Sequence, residues 1–310
     1  MAKKTIKIGT RNSQLAMWQA EHVQSLLESH GLATEIIAIE TKGDKILHKA
    51  ISKIGSKGVF TEELEEMLHT GKVDLAVHSA KDMASTLPNG LELIAYTKRE
   101  KAHDVVVSYN SDFKLDAADK WLVGTSSTRR IAMLKHYYPN IRTTNMRGNL
   151  QTRMRKLEEG QCDALLLAYA GVHRMGYEEF IVEHLTLDEF TPQAGQGSVT
   201  IEVSSKISDK LKAAIREAIN DEETEYCLLA ERAYLKYLDG GCSIPSFVLA
   251  KVEGDMLRID AGLISLSGKK IIRKSGEIHK EKGQELAVKL AQEVLKAGGD
   301  KILEKIKNKK

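Results

Sequence analysis

The chain has 310 residues, with 46 lysines and arginines against 43 aspartates and glutamates, 42% apolar residues and 5% aromatic ones. At about 100–200 residues per domain this length implies two or three domains, and the apolar content excludes a disordered or fibrous chain. The longest apolar runs, such as Ala164 to Ala168, fall far short of the roughly 18 residues that cross a bilayer, so no membrane span is expected. Three cysteines, Cys162, Cys227 and Cys242, give neither a disulfide framework nor zinc-ligand spacing, so no metal is expected. The basic N-terminus runs directly into an alternating strand pattern with no apolar stretch behind it, which points to the cytoplasm rather than export.

In chain order, residues 5–10 alternate as a strand. Ser13 then opens an amphipathic helix that stops at Gly31, and a second strand is predicted at 34–40. A Gly- and Lys-rich segment from Lys42 to Gly58 reads as a loop, and Thr61 caps a helix that starts acidic and runs to about His69. Strands follow at 73–77, 91–97, 103–109 and 121–126, a helix at 127–138, a strand at 141–146, a helix at 150–159 and a strand at 164–168. Alternation of this kind predicts α/β architecture with parallel sheets and right-handed crossovers. Thr191 to Gly197 is a turn, and 198–203 is one more strand. Near residue 220 the character changes to a helix at 224–238, strands at 246–252, 256–265 and 270–278, and a helix at 283–297, a separate α+β domain. The lysine-rich end reads as a frayed terminus.

Charge is unevenly placed. From Trp121 to Lys156 there are eight basic residues and no acid, and six of the eight are arginines. Arginine grips carboxylates and phosphates with a planar fork, so an anionic ligand is expected here. The scarcity of interleaved aromatics argues against nucleic acid. Two strand ends open helices with hydroxyl residues and arginine, at Gly9-Thr10-Arg11-Asn12-Ser13 and at Gly124 through Arg130. A single turn of this kind reads as ordinary capping, but two of them suggest a pair of anion-binding helix N-termini. Asp82 follows a buried strand beside Lys81, where an acid at a sheet rim is either catalytic or a surface ion pair. His78, Ser79 and Asp82 lack the G-x-S-x-G elbow of a hydrolase. Cys242, after two glycines, is an accessible loop thiol open to covalent attachment or idle. Cys162 and Cys227 sit on apolar periodic segments as core fillers.

These segments together resemble the hydroxymethylbilane synthase, or porphobilinogen deaminase, family. The matching residues are Gly9-Thr10-Arg11, Trp18-Gln19, Thr41 to Asp44, Gly58-Val59-Phe60, Val77 to Met83, Gly124 to Ser127, Arg129-Arg130, Arg147-Gly148-Asn149, Thr152-Arg153, Ala170-Gly171, Gly195-Gln196-Gly197 and Gly241-Cys242. They keep the family's order over nearly the whole chain. The resemblance implies a transferase of porphyrin and haem biosynthesis. It deaminates four porphobilinogen molecules, joins them head to tail on a dipyrromethane primer bound to Cys242 by a thioether, and releases hydroxymethylbilane with water. Asp82 and Lys81 match the catalytic positions. Ser127, Arg129, Arg130, Arg147 and Gly148, with Lys81 and Asp82, match residues that hold the cofactor. Arg11, Ser13, Arg147, Arg153, Arg174, Phe60, Lys53 and Lys57 match those that meet substrate and the growing oligopyrrole. The family fold has two doubly wound α/β domains like periplasmic binding proteins, expected at 1–98 with 198–216 and at 99–197. A smaller α+β domain at 217–310 carries the cysteine. A monomer is implied. Ala84, Thr128 and Ser246-Phe247 depart from the family's usual residues.

The rival from another class is a two-lobed binding protein for a small polycarboxylate. It would use the same helix termini without needing Asp82 or Cys242 and would carry an export signal. A nucleic-acid-binding module built on the basic window would show salt-sensitive binding. The enzyme accounts for more of the residues.

Overall fold

The computed structural model describes residues 5–41, 61–116, 121–239 and 244–308. Lys53, Lys57, Phe60, Cys242 and the expected loop at 42–58 lie outside the described residues. Along the chain the elements are β1 (Ile6–Arg11), α1 (Gln14–Ser29), β2 (Thr34–Ile39), α2 (Glu62–His69), β3 (Leu75–Ser79), β4 (Leu91–Tyr96), β5 (Asp104–Val107) and β6 (Leu122–Gly124). They continue with α3 (Thr128–Tyr137), β7 (Arg142–Thr144), α4 (Leu150–Glu158), β8 (Ala164–Ala168), α5 (Tyr169–Arg174), β9 (Ile181–His184), β10 (Val199–Ser204), α6 (Asp209–Ile219) and α7 (Glu222–Tyr237). The last are β11 (Ser246–Glu253), β12 (Met256–Ile264), β13 (Ile271–His279), α8 (Gly283–Val294) and α9 (Asp300–Lys307).

The chain divides into two compact units, Met1–Glu100 with Gly197–Glu225 and Lys101–Gln196 with Tyr226–Lys310. The first holds a five-stranded sheet in the order β2-β1-β3-β10-β4. On α1, Ala20, Val23 and Leu27 form a stripe three to four residues apart, which packs with Ile215 and Ile219 of α6 against one face of the sheet. Leu64 and Leu68 of α2 cover the other face. Helices on both faces explain why Ile8, Gly9 and Thr10 are buried in succession instead of alternating.

The second unit repeats that sheet in topology. Its order is β7-β6-β8-β5-β9, with β6 parallel to β7 and β8 and β5 antiparallel to β8 and β9. In the first unit β1 is likewise parallel to β2 and β3, and β10 is antiparallel to β3 and β4. Helix α3 packs on one face through Ala132, Met133 and Leu134. Met154 and Leu157 of α4 pack on the other. A three-stranded antiparallel sheet, β11-β12-β13, completes this unit with α7 and α8. Its Phe247, Ile264 and Ile271 extend into the core of the five-stranded sheet.

Wholly parallel sheets are not what forms. Each five-stranded sheet contains one reversed strand, because β10 and β5 enter from connections that come from elsewhere in the chain. The short α5 and β9, together with α6 and α9, were not read from the sequence. The end of the chain is not frayed through residue 307, because Ile302, Leu303 and Ile306 bury one face of α9 beneath its lysines. Thr61 does not cap α2 with its side chain. Its hydroxyl donates to Glu65 Oε1 at 2.6 Å.

Candidate functional site

In the first unit, the parallel register of β1 and β3 sets their carboxyl ends on one edge of the sheet. Open α/β sheets bind ligands at that edge. Arg11 ends β1, and Ser13 stands at the start of α1, where its side chain makes no capping bond. The N–H groups of the first turn therefore still point outward. Beyond β3 the chain makes one 3-10 turn, Ala80–Asp82, with Lys81 half-buried and Asp82 exposed. The turn is held close to its root. Gln19 Nε2 of α1 donates to Ser79 Oγ at 2.8 Å, the Ala80 N–H donates to the Ser198 carbonyl at 3.0 Å, and Met83 is buried behind it. His78 takes no part in a triad with Ser79 and Asp82, because its ring is buried and faces Glu202.

The second unit has the same kind of edge. Gly124 of β6 is level with Thr144 of β7 and Leu165 of β8, and Asp104 at the start of β5 pairs with Ala168 at the end of β8. Two helices begin there. Ser127 accepts the Arg130 N–H at 3.4 Å, capping α3, and Asn149 accepts the Thr152 N–H at 2.9 Å, capping α4. The Ser126 hydroxyl lies 2.7 Å from the Met146 carbonyl and 2.6 Å from Asn145 Oδ1, which ties the two turns side by side. Gly148 has φ +110°, and a Cβ there would lie 2.6 Å from Thr152. Only glycine fits this tight turn between Arg147 and the α4 cap. Arg153 Nε donates to the Gly148 carbonyl at 2.9 Å, so Arg147, Gly148 and Arg153 form one group. Arg174 ends α5, which follows β8 on the same edge.

Arg129 and Arg130 are not open forks on the surface; they are 3% and 7% exposed. Arg129 Nη2 donates to Asp104 Oδ2 at 2.7 Å, and Arg130 Nη2 donates to Asp104 Oδ1 at 2.7 Å. Their Nη1 atoms donate to the Thr191 and Leu166 carbonyls at 3.0 Å each. Gln196 Nε2 adds a third bond to Asp104, at 2.9 Å. Burial alone would push the Asp104 carboxyl up. The two guanidiniums outweigh it and hold the carboxyl well below the usual range. The basic window therefore does have a compensating acid, supplied from β5. Two positive charges against one leave the cluster a charge in surplus, and the buried Nε atoms of both arginines have no hydrogen-bond partner. Buried donors of this kind call for an acceptor. A carboxylate-bearing group suits the surplus positive charge.

Cys162 and Cys227 are buried free thiols. Burial pushes the Cys162 thiol up to about 11, as suits a core filler. Among the described residues no group of three or more His, Cys, Asp or Glu could hold a metal ion. Sequence reasoning missed Asp104, and it did not assign Gln196 or Gln19 a role. For Asp104 the only signal was indirect: an arginine pair without a nearby acid calls for one from farther along the chain.

Residues 6–212 match the family model "Porphobilinogen deaminase, dipyromethane cofactor binding domain", and residues 225–296 match "Porphobilinogen deaminase, C-terminal domain". A porphobilinogen deaminase of Cytophaga hutchinsonii is 51% identical over 304 residues, covering 98% of this chain and 97% of that protein. One from Desulfosudis oleivorans is 50% identical, covering 97% and 98%. Among solved structures, the VFT2 domain of Bordetella pertussis BvgS, as a double mutant, is similar over 69% of this chain and 86% of its own, with 18% identity and a TM-score of 0.44.

Proposed function

The chain belongs to the porphobilinogen deaminase family, whose reaction builds hydroxymethylbilane from four porphobilinogens on a dipyrromethane cofactor, and from that premise we propose which of its residues do the work. Asp82 is the catalytic carboxylate, Lys81 assists it, and Cys242 carries the cofactor through a thioether. What supports Asp82 is its setting: an exposed acid on a 3-10 turn whose root is pinned by Gln19 and by the Ser198 carbonyl. A fixed anion there accepts hydrogen bonds from pyrrole N–H groups. It also stabilises positive charge as porphobilinogen loses ammonia, and it can hold the proton given up when the new carbon–carbon bond forms.

When bound, dipyrromethane supplies the pyrrole carbon onto which the first unit is joined. Ser127, Arg147 and Gly148, with Lys81 and Asp82, would hold it. Arg129 and Arg130 fit through the surplus positive charge they hold beside Asp104. Each porphobilinogen brings an acetate and a propionate. Arg11, Ser13, Arg147, Arg153 and Arg174 take those carboxylates as the chain grows, because helix N-termini and guanidiniums both favour anions. Phe60, Lys53 and Lys57 belong to the segment that would meet substrate. The reaction takes place in the cytoplasm and needs one copy of the chain, no nucleic acid and no metal. No described helix is long and apolar enough to cross a membrane.

Intact mass tests the assignment. Purified wild type should exceed its sequence mass by one dipyrromethane and gain pyrrole-sized steps with porphobilinogen, and Cys242→Ser should show neither. A wild-type protein that stays at its sequence mass with substrate present would instead support a polycarboxylate-binding protein.

A further inference from the structure

Two buried polar groups of the first unit lie on β3, which leads into the Asp82 turn, and on its partner strand β10. His78, 6% exposed, precedes Ser79 on β3, and Glu202 on β10 has no exposure at all. In their antiparallel register His78 is opposite Thr200, and Ala76 is opposite Glu202. Residues two apart share a face, so both side chains project to the same side, and His78 Nε2 meets Glu202 Oε2 at 3.1 Å. Helix α2 covers this face and contributes Glu65. Burial pushes the Glu65 carboxyl up, and the negative charge of Glu202 adds to the effect. Thr61, just before α2, holds Glu65 by its hydroxyl at 2.6 Å. The second oxygen of Glu202 has no partner.

A buried polar pair of this sort contributes little net stability compared with apolar residues of the same volume. What it does confer is direction, because the bond is favourable only over a narrow range of separation and angle. Ser79 alternates to the opposite face, where Gln19 holds it. The last two residues of β3 are therefore fixed from both sides of the sheet, three residues before Asp82. We infer that His78 and Glu202 are a positioning pair: their bond fixes the end of β3 so that the Ala80–Asp82 turn presents its carboxylate at one place. The inference rests on Asp82 being the catalytic carboxylate.

The test is steady-state kinetics of the holoenzyme with porphobilinogen, with thermal denaturation run alongside, for His78→Leu, His78→Gln and Asp82→Asn. Misplacing a catalytic group by about 1 Å can lower turnover about a hundredfold. His78→Leu should therefore lose about tenfold to a hundredfold in kcat while KM stays within about twofold of wild type. The amide of His78→Gln can still donate to Glu202, and it should restore kcat to within about threefold. Wild-type kcat in folded His78→Leu overturns the inference, as does equal loss in both His78 variants. If His78→Leu fails to fold, Glu202→Met removes the acceptor and keeps an apolar side chain, and wild-type kcat there overturns the inference equally. Asp82→Asn separates the two ideas. Near-wild-type turnover in it removes the catalytic reading itself, whereas an inactive Asp82→Asn beside a fully active His78→Leu removes only the positioning role.

Discussion

Replacing Asp104 by Asn changes one oxygen to an NH2 group at the centre of the buried arginine cluster. The carboxylate accepts from Arg129 Nη2 and Arg130 Nη2 at 2.7 Å each and from Gln196 Nε2 at 2.9 Å. Asparagine keeps one acceptor oxygen but turns an N–H donor toward the other guanidinium, and both arginines lose their counter-charge. Removing one partner of a buried ion pair costs about 3–5 kcal/mol, a large share of the roughly 5–15 kcal/mol that holds a typical domain folded. Urea unfolding of Asp104→Asn should show a loss of that size near neutral pH. The pH dependence has a fixed sign. A carboxyl held low in the folded state contributes its full stability above about pH 5, and that contribution fades as pH falls through the folded value. The difference between wild type and Asp104→Asn should therefore be constant above about pH 5 and shrink below about pH 4. In the Asp104→Asn/Arg129→Gln double variant, the loss should fall short of the sum of the single losses by more than about 1 kcal/mol. A stability change under about 1 kcal/mol for Asp104→Asn would refute the assignment of Asp104 as the anchor of both arginines.

Gly148→Ala forces a Cβ to within 2.6 Å of Thr152 at φ +110° and should cost about 1–3 kcal/mol in chemical unfolding, with a weakened response to porphobilinogen. At Gly124 a Cβ would meet Leu165 at 2.8 Å and the Cys162 sulfur at 2.9 Å, so Gly124→Ala should lower stability by about 1–3 kcal/mol through overpacking. Arg147→Ala should raise KM for porphobilinogen more than it lowers kcat, and the reverse pattern would argue against a carboxylate grip. Cys162, buried and with its thiol pushed up to about 11, should resist iodoacetamide in the native protein at neutral pH. Rapid native labelling at that position, mapped by peptide mass, would contradict its packing.

The sequence by itself determined most of the elements and the two helix-opening turns at Ser13 and Ser127. Hydrophobic periodicity and capping are local, so α1 with its Gly31 stop, the Ser127 start of α3 and the strand before Asp82 could all be read from neighbouring residues. The ordered motifs from Gly9 to Cys242 identified the family, because their combination over the whole chain is specific where each piece is not. Short or lysine-rich elements were hidden: α5 is only six residues long, and the apolar stripe of α9 lies among charges. Tertiary structure alone decided which charges meet. Asp104 lies 25 and 26 positions from its arginines and 92 from Gln196, and His78 lies 124 from Glu202. No local rule selects one acid among 43. The same holds for the reversed strands β5 and β10. Their sense depends on where the chain enters each sheet, and strand patterning, with its period of two, is identical in either direction. Burial raises the cost of an unpaired charge, so these distant groups had to find one another, and only the completed topology brings them within reach.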